Sequence, residues 1–234
     1  MDQLTLFDPD WPCLGTDESG KGDYLGPLVV AGACLDEPAA RALSGLGVMD
    51  CKRLTDRRVT DLAGKIREVC GPKRFAEIEL PPETYNRLYE DMKREGKNLN
   101  ALLAWGHVRA IENVLKQTDC RRIIADQFGD ERLIRTRLKA AFPGLKLNLI
   151  QRHRAEDHVA VAAASVLARA RFLAWMEETS ARYAMPLPKG ASAAVTDAAR
   201  AFVAKHGPAE LRKVAKLHFR TTQEVLKKSD GGAG

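Results

Sequence analysis

The sequence is poor in the features that mark secreted, zinc-binding and disulfide-rich proteins. Five cysteines occur in 234 residues, an odd number without any Cys-x-x-Cys spacing, which excludes the usual disulfide frameworks and zinc motifs. We therefore expect a reducing, cytoplasmic location, in which most cysteines serve as small core residues. They are Cys13, Cys34, Cys51, Cys70 and Cys120.

Other absences exclude further classes. The N-terminal residues 1–4 have neither the basic nor the apolar region of a signal peptide. No apolar run approaches the roughly 20 residues of a membrane span, so we expect no membrane partner. Gly20, Gly22 and Gly26 miss the dinucleotide-binding spacing by one residue, and no Gly-Lys-Ser/Thr ending occurs. The common nucleotide-binding loops are therefore excluded as well.

The composition is that of an ordinary globular protein with a mild basic bias. Hydrophobic residues make up 45% of the chain and charged residues 29%, and the length is sufficient for a substantial core in one large domain or two small ones. The net charge is +6 and the pI is about 9.1. This balance favours a polyanionic partner only weakly.

The most informative segment is Gly15–Pro27, with the sequence GTDESGKGDYLGP. Asp17 and Glu18 are adjacent hard oxygen ligands, which suit Mg²⁺ or Mn²⁺. The turn Gly20-Lys21-Gly22 offers backbone N–H groups and a cation, which suit a phosphate. Together they indicate metal-assisted phosphodiester chemistry. The alternative is a simple hairpin turn that follows a solvated acidic pair.

A regular strand would point Asp17 and Glu18 to opposite faces of a sheet. For both carboxylates to reach one metal site, we expect the strand to end or bulge there, which Gly20 permits.

Further blocks along the chain carry a resemblance to a known family. Together with Gly15–Pro27, they resemble in order, over residues 13–226, the type 2 ribonucleases H (ribonucleases HII and HIII). The Gly-Lys-Gly turn is closer to the HIII subtype, because the HII subtype typically carries Gly-Arg-Gly. The blocks are Asp50–Leu54, Tyr85-Asn86, Asn98–His107, Ile123–Asp126, Ala155-Glu156, Val161–Arg169 and Lys216–Phe219.

The order of predicted elements indicates an α/β fold with one mixed sheet. The resemblance implies a ribonuclease H-like fold, with a central mixed five-stranded sheet flanked by helices and a helical C-terminal lobe. Apolar periodicity predicts strands at 13–18, 28–35, 74–80, 121–125 and 145–150. It predicts helices at 55–69, 83–94, 98–116, 131–141, 157–183, 196–206, 208–215 and 221–228.

The predicted organisation is an N-terminal arm at 1–12, one catalytic domain with its helical lobe at 13–228, and a flexible tail at 229–234. Ribonuclease HIII proteins typically carry an N-terminal substrate-binding domain, which twelve residues cannot supply, so we expect a departure from the family pattern there. Basic residues near the C-terminus are then candidate phosphate contacts or simply a solvated helix face. They are Arg212, Lys213, Lys216, Arg220, Lys227 and Lys228.

The resemblance implies an endoribonuclease that cleaves the RNA strand of RNA–DNA hybrids with two divalent ions, Mg²⁺ or Mn²⁺, and leaves 5′-phosphate and 3′-hydroxyl ends. No obligate protein partner is inferred. Three alternatives stay open. They are a non-catalytic hybrid-binding module of the same fold, a ribonuclease HII-like enzyme that incises at single embedded ribonucleotides, and a nuclease of DNA junctions.

The resemblance also assigns the site. Asp17, Glu18, Asp126 and Glu156 are the expected catalytic and metal-binding acids. The expected substrate-binding residues are Gly20, Lys21, Gly22, Lys52, Ser165 and Arg169.

Several of these assignments have alternatives. Asp157 competes with Glu156 as the fourth acid, and Asp126 could instead cap the following helix. Lys52 could be an ordinary surface lysine, and Ser165 could simply permit close helix packing. The two-metal mechanism needs no histidine, so three histidines that could act as acid–base groups are expected to be structural or peripheral. These are His107, His158 and His218.

Overall fold

A five-stranded mixed sheet forms the centre of the computed structural model, which describes residues 11–48 and 54–227. The strand order is β3-β2-β1-β4-β5. Strand β1 is antiparallel to β2 and parallel to β4, so its carboxyl end lies beside that of β4. The strands are β1 (Cys13–Ser19), β2 (Leu28–Leu35), β3 (Phe75–Leu80), β4 (Arg122–Asp126) and β5 (Asn148–Arg152).

Helices connect the strands and cover both faces of the sheet. The first two are α1 (Glu37–Gly45) and α2 (Asp56–Cys70). Thr55 caps α2 as predicted, because its hydroxyl accepts a hydrogen bond from the Arg58 N–H at 3.3 Å. The others are α3 (Pro82–Arg94), α4 (Leu99–Leu115), α5 (Arg132–Ala141), α6 (Val159–Arg182), α7 (Ala193–His206) and α8 (Thr221–Leu226).

The core consists of layers on either side of the sheet. Helix α6 packs on one face with α1 and α2, and α4 packs on the other with α5. The approach of α6 requires glycine at Gly15, since a Cβ there would lie 2.2 Å from the backbone carbon of Ala160. Four cysteines are buried in this core as expected, and Cys51 lies outside the described residues.

Helix α6 is long and apolar enough to cross a membrane by length and composition alone. Its most apolar 18-residue window has a mean hydropathy of 1.5, but 78% of that window is buried inside the protein. The apolar residues of α6 therefore belong to the hydrophobic core, where the helix packs against the sheet.

The sequence-based boundaries were wrong at several places. Helix α1 was missed, although Asp36 accepts a hydrogen bond from the Ala39 N–H at 3.0 Å as its N-cap. Strand β5 begins three residues later than predicted, because the Leu145 N–H bonds to Phe142 O in the preceding turn. Residues 155–157 form a separate 3₁₀ turn before α6, which His158 caps.

The predicted helix at 208–215 is a 3₁₀ helix, Pro208–Lys213, instead. Beyond it, Ala215 leaves the helical path to form a bridge with Leu25. This bridge brings the C-terminal segment to the glycine turn between β1 and β2.

Candidate active site

The four predicted acids, together with Asp23, line one cleft of about 400 Å³ at the carboxyl edge of the sheet. Asp17 and Glu18 lie near the end of β1, and Asp126 is the last residue of the parallel neighbour β4. Glu156 lies in the 3₁₀ turn that follows β5. Because β1, β4 and β5 run in parallel, their carboxyl ends meet at this edge, and residues far apart in sequence become neighbours.

We expected β1 to end or bulge at Asp17 and Glu18; it does not bulge, and it ends one residue after Glu18, at Ser19. Asp17 pairs with Ala31 and Glu18 with Val30 in unbroken register, and β1 continues to Ser19. The two carboxylates therefore lie on opposite faces of the strand, Asp17 towards α6 and Glu18 towards α4. Both line the cleft nevertheless, because the strand ends one residue later and exposes both of its faces there.

Asp17 is a buried acid beside another acid. Burial and the charge of Glu18 raise its pKa from 3.8 to about 7, although hydrogen bonds from Ser165 and from the Glu18 N–H oppose the shift. The latter bond is 2.8 Å long. A divalent cation would relieve the same repulsion that a proton relieves, so this carboxyl fits a metal ligand.

Glu18 is held in its ionised form by a histidine. Its burial opposes ionisation, but the hydrogen bond and charge of His107, together with Lys21, lower its pKa. The Glu18 Oε2 atom lies 3.2 Å from His107 Nε2, and His107 Nδ1 lies 2.9 Å from Thr16 Oγ1. A carboxylate only accepts, so His107 Nε2 donates the hydrogen bond to Glu18.

His107 was expected to be structural or peripheral, yet its side chain is fully buried and contacts a candidate metal ligand directly. The signal in the sequence was its position at the end of the Asn98–His107 block. The pairing itself depends on α4 crossing the face of β1 on which Thr16 and Glu18 both lie.

Asp126 does not cap the following helix. Its Oδ1 accepts a hydrogen bond from the Ala155 N–H at 3.2 Å, which ties the end of β4 to the turn that carries Glu156. The N-terminus of α5 is served instead by Asp130, whose Oδ1 accepts from the Arg132 N–H at 2.9 Å. The structure therefore places Asp126 in the cleft, whereas Asp130 binds the first N–H of α5.

Glu156 and Asp157 are in different environments. Glu156 lines the cleft with the other three acids. Asp157 points away to Arg152, whose Nη1 donates to Asp157 Oδ2 at 2.9 Å, and its side chain is 61% exposed. The geometry favours Glu156 as the fourth acid and gives Asp157 a surface ion pair.

The glycine turn brings backbone and a cation to the cleft. Gly20 has φ +86°, and a Cβ there would lie 2.1 Å from the carbonyl oxygen of Pro27. A Cβ at Gly22 would have no heavy atom within 4 Å, so a ligand could approach the backbone from that side. Lys21 Nζ lies 3.5 Å from Glu18 Oε1 and 5.8 Å from the centre of the Phe128 ring.

Of the remaining predicted substrate contacts, two lie in the cleft and one lies outside the described residues. Ser165 and Arg169 line the cleft from α6, and Ser165 hydrogen-bonds to Asp17. Lys52 lies outside the described residues. Lys189, which the sequence did not single out, also lines the cleft. Arg169 and Lys189 both donate to Asp56, Arg169 Nη2 to Oδ1 at 2.9 Å, so one carboxylate aligns two cations.

The donor set fits hard divalent cations, although the site is not preformed for one. Among residues 11–48 and 54–227, no three His, Cys, Asp or Glu side chains are already grouped as metal ligands. The four acids nevertheless line one cleft, all with oxygen donors, and one of them has a raised pKa. Carboxylates are the ligands that Mg²⁺ and Mn²⁺ prefer.

A mixed five-stranded sheet with helices on both faces, and with acids at the ends of its neighbouring parallel strands, defines the ribonuclease H-like class of folds. The model of the family described as "Ribonuclease HII" matches residues 14–222. The chain belongs to this family.

Individual relatives agree with that assignment. The chain is 43% identical over 217 residues to the ribonuclease HIII of Protochlamydia amoebophila (strain UWE25), covering 93% of this chain and 69% of that protein. It is also similar to the crystal structure of Bst-RNase HIII in complex with Mn²⁺, with a TM-score of 0.81 and 33% identity over 93% of this chain and 70% of that one. The ribonuclease H2 of Pyrococcus horikoshii OT3 has a TM-score of 0.76 at 21% identity, over 91% of this chain and 96% of that one, and shares the fold.

Proposed function

We propose that this chain is an endoribonuclease that hydrolyses the RNA strand of RNA–DNA hybrids. The observation that carries the proposal is the convergence of Asp17, Glu18, Asp126 and Glu156 on one cleft, beside the turn Gly20-Lys21-Gly22. The named ribonucleases HIII among its relatives support the same substrate class. The four acids argue against a hybrid-binding module without catalysis, since such a module has no use for clustered carboxylates, whose mutual repulsion costs free energy.

The four acids would hold two divalent ions, Mg²⁺ or Mn²⁺. When bound, such ions activate a water for in-line attack on phosphorus and offset the charge on the leaving 3′-oxygen, which yields 5′-phosphate and 3′-hydroxyl ends. Asp17 would enter the complex by losing its proton, since its pKa is raised to about 7. His107 keeps Glu18 ionised and oriented, and Asp126 fixes the turn of Glu156 through the Ala155 N–H.

The glycine turn would position the RNA strand. The open space at Gly22 lets the sugar-phosphate backbone approach the peptide groups, and Lys21 supplies a cation beside them. RNA differs from DNA in the 2′-hydroxyl, which backbone donors and acceptors at such a turn can recognise. Arg169 and Lys189, which line the same cleft, would contact a phosphate farther along the strand.

The test is cleavage of an end-labelled RNA–DNA hybrid with Mg²⁺ or Mn²⁺, with and without EDTA. We expect RNA-strand products with 5′-phosphate and 3′-hydroxyl ends, no products with EDTA, and none from a matched all-DNA duplex or junction. A duplex with one embedded ribonucleotide, assayed alongside, distinguishes an HII-like from an HIII-like preference. Tight hybrid binding without cleavage in either metal would contradict the proposal in favour of a binding module.

A further inference from the structure

A buried lysine outside the cleft, Lys216, binds the Gly20–Pro27 segment that includes the glycine turn. Lys216 is fully buried, and its Nζ donates to the carbonyl oxygen of Gly26 at 2.6 Å. Its Nζ also lies 5.8 Å from the centre of the Tyr85 ring. The side chain cannot reach a phosphate, so the interpretation of Lys216 as a substrate contact is wrong.

Backbone hydrogen bonds on either side of Lys216 also join the C-terminal segment to residues 24–26. The Gly26 N–H donates to Val214 O at 2.9 Å, and the Lys216 N–H donates to Tyr24 O at 2.9 Å. Leu25 and Ala215 form a bridge between these two bonds. Residues 24–26 of the turn thus pair with residues 214–216 as in a short antiparallel ladder, and the Lys216 side chain adds a bond to Gly26 that the backbone cannot supply.

The position of Gly26 matters for the cleft. Gly26 has φ +95°, and a Cβ there would lie 2.5 Å from Met176 Sδ, so its peptide groups are held in one orientation against α6. The same turn carries Gly20, Lys21 and Gly22 into the cleft. A shift at Gly26 would therefore move the groups that face the proposed substrate.

A lysine is a costly choice for this place. Removing an ammonium group from water is unfavourable, and an apolar side chain of the same length would avoid that cost. Burial lowers the pKa of Lys216 to about 7, partly opposed by the charge of Asp23. Both the ammonium and the amine carry N–H groups, so the bond to Gly26 survives either protonation state.

We infer that Lys216 is a positioning residue of the active site, which fixes the Gly20–Pro27 turn through its hydrogen bond to the Gly26 carbonyl. The inference rests on the proposed ribonuclease activity for its kinetic readout, and on hydrogen exchange for a readout that is independent of activity.

The test compares Lys216→Met and Lys216→Ala with Lys205→Met in the full-length chain. Lys205 is a matched control because its Nζ also donates to backbone carbonyls, of Tyr183 and Ala184 at 3.4 and 3.3 Å, but on the exposed surface away from the cleft. We expect both Lys216 variants to fold and to lower kcat by between about 10-fold and 100-fold, since small displacements of positioning groups have effects of this size. Lys205→Met should retain the kcat of the unmodified chain.

Chemical rescue separates positioning from general stability. Propylamine matches the part of the side chain that Lys216→Ala removes, so it should restore part of the lost kcat. It should not restore Lys216→Met, in which the methionine side chain fills the space. Tetramethylammonium chloride at equal ionic strength has no N–H group and should restore neither variant.

Amide exchange gives the second readout. Residues 20–26 should exchange faster in Lys216→Met than in the unmodified chain, while 13–18 of β1 stay equally protected. Unchanged exchange at 20–26 together with unchanged kcat would overturn the inference. If the unmodified chain cleaves no hybrid, the proposed function fails, and the exchange comparison still decides whether Lys216 holds the turn.

Discussion

The Nε2 atom of His107 lies 3.2 Å from Oε2 of Glu18, so a buried histidine from α4 holds one of the candidate metal ligands of β1. Through Nδ1, the same ring also reaches the Thr16 hydroxyl. The bond to Thr16 orients the ring, and the bond to Glu18 favours its ionised form.

This relationship predicts different effects for two amide substitutions at position 107. The amide nitrogen of His107→Gln can occupy the place of Nε2 and donate to Glu18, whereas that of His107→Asn reaches only the place of Nδ1. We expect His107→Gln to retain several times the kcat of His107→Asn on an RNA–DNA hybrid. Equal kcat values for the two variants, with both folded by circular dichroism, would leave His107 a packing residue.

Removal of the Asp17 charge should abolish activity while the fold survives. We expect Asp17→Asn to lower kcat at least about a hundredfold at saturating Mg²⁺, because it removes a proposed metal ligand. Mg²⁺ should raise the thermal unfolding midpoint of the unmodified chain in an EDTA-dialysed sample and raise that of the variant less. Turnover near that of the unmodified chain would contradict the assignment.

The same substitution should change the pH dependence of stability. The folded-state pKa of Asp17 is raised from 3.8 to about 7, so the folded chain keeps a proton that the unfolded chain releases in this range. Without metal, the free energy of unfolding therefore declines as pH rises from about 4 to 7, by up to about 1.4 kcal/mol per pH unit from this group. Asp17→Asn should lack that decline, and urea titrations at pH 4, 5.5 and 7 would measure it.

The two adjacent acids of the 155–157 turn should respond differently to neutralisation. Glu156 lines the cleft, whereas Asp157 pairs with Arg152 at the surface. Glu156→Gln should therefore lose most activity, and Asp157→Asn should keep most of it, since exposed ion pairs contribute only about 0–1 kcal/mol to stability. Single-turnover cleavage rates measure both, and an inactive Asp157→Asn beside an active Glu156→Gln would reverse the assignment.

Lys189 should contribute to hybrid binding through charge. Its side chain lines the cleft and pairs with Asp56, which also binds Arg169. We expect Lys189→Met to weaken hybrid binding and to reduce the slope of log affinity against log salt by up to about 0.9, the value for one phosphate contact. Lys205→Met should leave the slope unchanged, and an unchanged slope in Lys189→Met would make the lysine a partner of Asp56 alone.

Local sequence was enough to predict most helices and strands and to single out Asp17 and Glu18 as candidate ligands. The apolar spacing of 56–70 with Thr55 before it is sufficient for a capped helix, and Pro81-Pro82 ends β3, because these signals act between neighbours in the chain. The Asp17-Glu18 pair with the following glycine turn was likewise readable, because carboxylates and exposed backbone N–H groups have intrinsic ligand preferences. The resemblance supplied the family, which the match over residues 14–222 confirmed.

What the sequence could not supply are the contacts between distant segments. No local pattern pairs His107 with Glu18, or Lys216 with Gly26, since these contacts join residues 89 and 190 positions apart. Nor could spacing decide between Glu156 and Asp157, because adjacent residues in a short turn differ only in the direction their side chains take once β4 and β5 are in place. The sequence by itself determined the chemical groups and the local elements; only the tertiary structure decided which groups share the cleft, because packing across the sheet brings them together.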